Sequence, residues 1–153
     1  MRYQALNSDF YIRNRKNVVA EIEQNSVVIL TSHDEYPRCG DTTHPFRQNS
    51  DLLYLCGIDQ EETCLALAPW HPNKDYREVL FIKNPSPEMI TWFGHRLSKE
   101  QARKISGIQT VVFVEEMDSV LNNMIFYAEH IYLHIPESSR SKNSFATREI
   151  RLA

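Results

Sequence analysis

Apolar positions fall into short runs whose spacing changes along the chain. From about Ser8 to Gln24, Tyr11, Val18 and Ile22 recur on one face, which predicts a surface helix with Ser8 as its cap. Arg13, Asn14, Arg15, Lys16 and Asn17 fall mostly on the solvated side of that helix. Ser26–Thr31 is a continuous β-branched and apolar run, as in a strand buried on both faces of a helix-covered sheet. Residues 32–43 are polar, broken by Pro37 and Gly40, and read as a loop. Glu61–Ala68 and Arg77–Lys83 read as two further strands joined as a hairpin through the turn-rich Pro69–Asn73. Ser86 and Pro87 open a helix that carries Met89, Ile90, Trp92 and Phe93 and stops at Gly94. Ser98 and Gln101 have the spacing of a capping box, and Gly107 ends that helix. Thr110–Val114 reads as a fourth strand, Glu115 to about Glu129 as an amphipathic helix, and His130–Ile135 as a fifth strand with one wet face or an open edge.

Strands alternating with helices predict an α/β layer fold with a mixed, mostly parallel sheet of five to six strands. Residues 1–135 read as one domain, and the polar, basic stretch 136–153 reads as a linker or the start of a following domain.

The densest row of hydrogen-bonding groups is Pro45–Gly57. Pro45 pushes His44 toward an extended backbone. Arg47, Gln48, Asn49, Ser50 and Asp51 precede the apolar Leu52, Leu53, Tyr54 and Leu55. Ser50 or Asp51 can cap a short helix there, and Gly57 can end it in the left-handed conformation. This stretch is either a structural network or the border of a ligand or partner site.

A second patch, Trp92-Phe93-Gly94-His95-Arg96-Leu97, sets an aromatic pair beside two cationic-type side chains. Trp92 could line a pocket and Arg96 could grip a carboxylate; equally, the aromatics could be core and Arg96 could cap carbonyls.

Charge narrows the choices. A formal net charge of -3 implies no broad attraction to nucleic acid or anionic membrane, and no run reaches a membrane span. Three separated cysteines, Cys39, Cys56 and Cys64, argue against a disulfide framework and for a reducing, cytoplasmic setting. The chain has no Gly-rich phosphate loop, no His-Glu-x-x-His helix and no Gly-x-Ser-x-Gly elbow. The acidic pairs Asp34-Glu35 and Glu61-Glu62 read as solvated loop residues. His33, Cys39 and His44 could bind zinc, but their spacing fits no closed module.

The wording Phe46-Arg47-Gln48-Asn49-Ser50-Asp51, followed by Tyr54-Leu55-x-Gly57, resembles a signature of the N-terminal domain of Xaa-Pro aminopeptidases, in the creatinase and prolidase superfamily. Trp92-Phe93-Gly94-His95-Arg96-Leu97 resembles that domain's tryptophan-x-glycine-x-arginine segment, with His95 where an arginine is often found. The resemblance covers nearly the whole chain. It implies a non-catalytic domain with a ribonuclease H-like motif, attached to a C-terminal catalytic domain of the same polypeptide. That catalytic half would hold two manganese ions and remove an N-terminal residue preceding proline. No residue here matches its five-ligand pattern, so no catalytic or metal-binding residue and no cofactor is expected in this chain. The resemblance further implies a homo-oligomer, dimer or tetramer, acting on short proline-containing peptides. It makes Trp92, then Arg96, candidates for the substrate rim. Phe46, Arg47, Gln48, Asn49, Ser50, Asp51, Tyr54, Gly57 and Gly94 become a structural signature. Three alternatives stay open: a stand-alone binding module, the corresponding domain of a proline dipeptidase or creatinase-like hydrolase, and a small metal-binding protein.

Overall fold

In a computed structural model, residues 6–35, 37–40, 42–85 and 96–134 are described. The elements, in chain order, are α1 (Ser8–Glu21), β1 (Ser26–Thr31), β2 (Pro37–Cys39), β3 (Thr42–Thr43), α2 (Ser50–Cys56), β4 (Cys64–Leu67), β5 (Glu78–Ile82), α3 (Lys99–Ser106), β6 (Thr110–Phe113), α4 (Met117–Phe126) and β7 (His130–Leu133). The main sheet runs β6-β5-β4-β1-β7. β1 pairs parallel with β7, and β5 parallel with β6. β4 runs against both its neighbours. Four strands therefore share one direction, and the expected hairpin is β4–β5. The helix expected over 86–94 lies outside the described residues, as does the tail from 135 onward.

All six residues of β1 are buried, because helices cover both sheet faces. Val28 and Leu30 pack on one side with Leu65, Leu67, Leu80, Ile82, Leu52, Leu55 and Ala102. Val27 and Ile29 pack on the other with Ala66, Val79, Phe81, Met117, Leu121 and Met124. The layers are thus α1, α2 and α3, then the sheet, then α4. Strand alternation sorts the side chains between two cores.

Several helix ends differ from expectation. α1 is capped by Asn7, whose side chain accepts from the Asp9 amide, rather than by Ser8. α2 is capped by Asn49, not Ser50 or Asp51; its Oδ1 accepts from the amides of Asp51 at 2.9 Å and Leu52 at 3.5 Å. Both caps are asparagine, a short side chain that reaches the first free amides well. α3 has its full capping box from Ser98 and Gln101 and ends at Gly107. The polar loop after β1 contains the small exposed hairpin β2–β3.

The charged run of α1 is the largest departure. Asn14 and Arg15 are buried rather than solvated. Arg15 Nη1 donates to the carbonyls of Leu55 at 2.8 Å and Ser106 at 3.0 Å. Those are carbonyls in the last turns of α2 and α3, which lack partners within their own helices. One guanidinium therefore closes two helix ends, where a positive charge also suits the helix dipole. Its Nε donates to Glu78 Oε2 at 3.1 Å. Nη2 lies 3.1 Å from the same oxygen, within ion-pair reach but off axis for a hydrogen bond.

Candidate functional site

The signature stretch sits where the C-terminal ends of the parallel strands β1 and β7 meet the start of α2. Gln48 is buried; its Nε2 donates to the carbonyls of Ile58 at 3.0 Å and Gln60 at 2.8 Å. Its Oε1 accepts from the Asn49 amide at 2.8 Å. Asn49 Nδ2 reaches the Thr31 carbonyl at 3.3 Å and His134 Nδ1 at 2.8 Å. Asp51 meets the other ring nitrogen of His134 at 3.2 Å. Two side chains thus join the ends of β1 and β7 to α2, and a third fixes the turn that leads to β4. Such a network, with its donors and acceptors matched, specifies one packing.

The remaining signature residues are less enclosed. Arg47 and Ser50 are exposed and Phe46 is half-buried. The Arg47 carbonyl contacts His33 Nδ1 at 3.2 Å. Tyr54 is exposed, its ring edge-on to Phe10. Gly57 has φ +72 and lies against the Tyr11 ring, so the glycine is needed both for the turn and for the close approach.

Cys56 makes a poor nucleophile. Burial pushes the Cys56 thiol up from 9.0 to about 12, although the Ile58 backbone and the Arg15 charge act the other way. No group of three or more His, Cys, Asp or Glu among the described residues could hold a metal ion.

The second patch is only partly described: Trp92, Gly94 and His95 lie outside the described residues. Arg96 is described, with its side chain 5% exposed and Nη2 2.6 Å from Glu61 Oε1. The next residue, Leu97, donates its amide to Gln60 Oε1 at 3.0 Å. Arg96 Nε and Nη1 and Gln60 Nε2 are buried without an acceptor among the described residues. Lys83 pairs with Glu62. The acidic pair Glu61-Glu62, expected to be solvated, is therefore engaged on both members. The two cations are too distant in sequence for local patterning to have matched them.

The fold and site together define an α/β layer domain in which the polar signature ties the sheet ends to α2. A family model described as "Aminopeptidase P, N-terminal domain" matches residues 11–132, and the chain belongs to that family. The chain is 31% identical over 123 residues to a Haemophilus influenzae Xaa-Pro aminopeptidase, covering 80% of this chain and 28% of that protein. Its fold matches Pseudomonas aeruginosa aminopeptidase PepP with a TM-score of 0.78 at 28% identity, over 90% of this chain and 31% of that one. A Bacillus anthracis protein provisionally assigned as an aminopeptidase P matches with a TM-score of 0.85 at 26% identity, over 95% of this chain and 34% of that one. The chain thus spans about a third or less of the length of these proteins.

Proposed function

We propose that the chain acts as the non-catalytic N-terminal domain of a metal-dependent Xaa-Pro aminopeptidase, supporting oligomer assembly and shaping access to the active site. The observation that carries this reading is the identity with the Haemophilus influenzae Xaa-Pro aminopeptidase, confined to 28% of that protein's length. In this reading the metal chemistry belongs to a C-terminal catalytic domain of the same polypeptide. In this reading residues 1–135 form the domain, 136–153 lead toward the catalytic half, and the protein works in the cytoplasm as a dimer or tetramer.

Within that assembly Trp92 supplies apolar surface to the rim that receives short proline-containing peptides. Arg96, whose guanidinium pairs with Glu61, is the second rim residue behind it. Contact energy at a rim orients the substrate for attack without touching the reacting atoms. The test is kinetic. The chain supplied with Mn²⁺ and an Xaa-Pro peptide releases no amino acid, whereas the chain joined to its catalytic half does. Trp92→Ala in the joined protein weakens peptide hydrolysis while circular dichroism stays unchanged. Hydrolysis by the chain alone, or unaltered kinetics in Trp92→Ala, refutes the respective part.

A further inference from the structure

The junction of β1, β7 and α2 fixes where one imidazole must carry its proton. Asn49 is 3% exposed, and both ends of its amide are committed. Its Oδ1 accepts from the Asp51 amide at 2.9 Å and the Leu52 amide at 3.5 Å, at the start of α2. Its Nδ2 donates to the Thr31 carbonyl at 3.3 Å, at the end of β1. Turning the amide over sets oxygen against the Thr31 carbonyl and hydrogens against the α2 amides, so its orientation is fixed. His134 Nδ1 lies 2.8 Å from the same Nδ2, a group that only donates. Nδ1 therefore accepts and bears no proton. The single proton of the neutral ring sits on Nε2, 3.2 Å from Asp51 Oδ2.

A second proton has one place to go, Nδ1, and there it meets a donor. The imidazolium keeps Asp51 and loses Asn49. These two partners are not equivalent. Asn49 leads to β1 through Thr31, whereas Asp51 belongs to the first turn of α2. The Asp51 side chain is 62% exposed, so water screens what its charge gains from the imidazolium. Of the groups against the ring, Asp51 carries charge and Asn49 does not. Nearby, His33 Nδ1 contacts the Arg47 carbonyl at 3.2 Å in the approach to α2. At the other end of β7, His130 lies 3.3 Å from Glu23, a contact that protonation strengthens. Acid thus acts in opposite senses on the two ends of the strand.

We propose that His134 is a proton-sensitive latch. Neutral, it ties the end of β7 to β1 through Asn49; protonated, it lets that tie go and stays with α2 alone. Imidazole is the side chain suited to such a change, since it gains charge between about pH 8 and pH 5.

Nuclear magnetic resonance of the full chain over that range tests the latch. Long-range ¹H–¹⁵N spectra are expected to show neutral His134 in the Nε2–H form; the Nδ1–H form overturns the proposal. Amide exchange, corrected for its own pH dependence, is expected to show the β1–β7 amides nearest Leu133 opening about fivefold more in acid, the factor for one ordinary hydrogen bond. Those nearest His130 show no such rise. His134→Asn sets an amide oxygen close to the place of Nδ1, which keeps an acceptor for Asn49 but does not titrate, and the rise is expected to vanish. His134→Phe has no acceptor and is expected to open as readily at about pH 8 as the parent does in acid. No rise in the parent, a rise that persists in His134→Asn, or parent-like protection in His134→Phe overturns the latch. The parent's tautomer and exchange decide the matter even where a variant fails to fold.

Discussion

Replacing Arg15 with alanine tests the idea that one buried guanidinium closes two helices. The side chain has no exposed surface, and its removal leaves the carbonyls of Leu55 and Ser106 buried without a donor. Each stranded carbonyl costs about 1–2 kcal/mol. Glu78 loses its partner too, but its side chain is 37% exposed, so water takes over much of that interaction. Adding the lost packing of the aliphatic stem, the total is about 3–5 kcal/mol, the range for breaking a buried pair from one side. A domain with about 5–15 kcal/mol of stability could lose half of it. Urea titration reads this directly: with a slope of about 2 kcal/mol per molar, the midpoint falls by about 2 M. Arg15→Lys keeps the charge but not the fork, and falls about half as far. Glu78→Gln costs under about 1 kcal/mol because that carboxylate is partly solvated. A midpoint for Arg15→Ala within about 0.5 M of the parent, with an unchanged slope, refutes the double-capping account.

Two other measurements follow from the described geometry. Gly57→Ala sets a methyl into the Tyr11 ring at φ +72, for a cost of about 2–4 kcal/mol by thermal or urea unfolding. Gly40→Ala, at φ +54 with nothing within 4 Å, carries only the backbone cost of about 1 kcal/mol and serves as its control. The Cys56 thiol gives a pH test. Its pKa is raised in the folded state, so the folded chain holds the proton after the unfolded chain has lost it, and stability falls as pH rises from 9.0 toward about 12. At pH 10 the loss is about 1.4 kcal/mol relative to neutral pH, and Cys56→Ala lacks that increment; equal pH profiles for the two would refute it.

Much of the architecture was legible in the residues. The unbroken apolar run of β1 marked a strand covered on both faces, and Ser98 with Gln101 and Gly107 bounded α3 at both ends. The parallel directions of β5–β6 and β1–β7 agree with the mostly parallel sheet that alternating elements implied. Hidden from pattern reading was Arg15, because a buried cation looks like a wet one until its carbonyl partners, from 40 to 91 residues away, are known. The same applies to Glu61 and Glu62, whose acidic pair matched the composition of a solvated loop. Asn49, Ser50 and Asp51 are all good capping types, so sequence does not single out Asn49 and only geometry chooses among them. Gln48 and Asn49 were legible as important, but their partners at Ile58, Gln60, Thr31 and His134 were not.

The parallel seam between β1 and β7 also governs the order in which the chain can fold. Ser26 meets His130 and Ile29 meets Leu133, so this pairing joins segments about a hundred residues apart. The β4–β5 hairpin needs only a short closure, and entropy lets it form first. β1, apolar on both sides, cannot acquire its outer neighbour until residue 130 has left the ribosome. During synthesis that buried strand is a bare edge, the kind of surface that recruits other chains. His134, bound to Asn49 and Asp51, is the last residue of the seam to emerge and fastens it, so a chain cut before residue 130 forfeits its lock along with its edge cover.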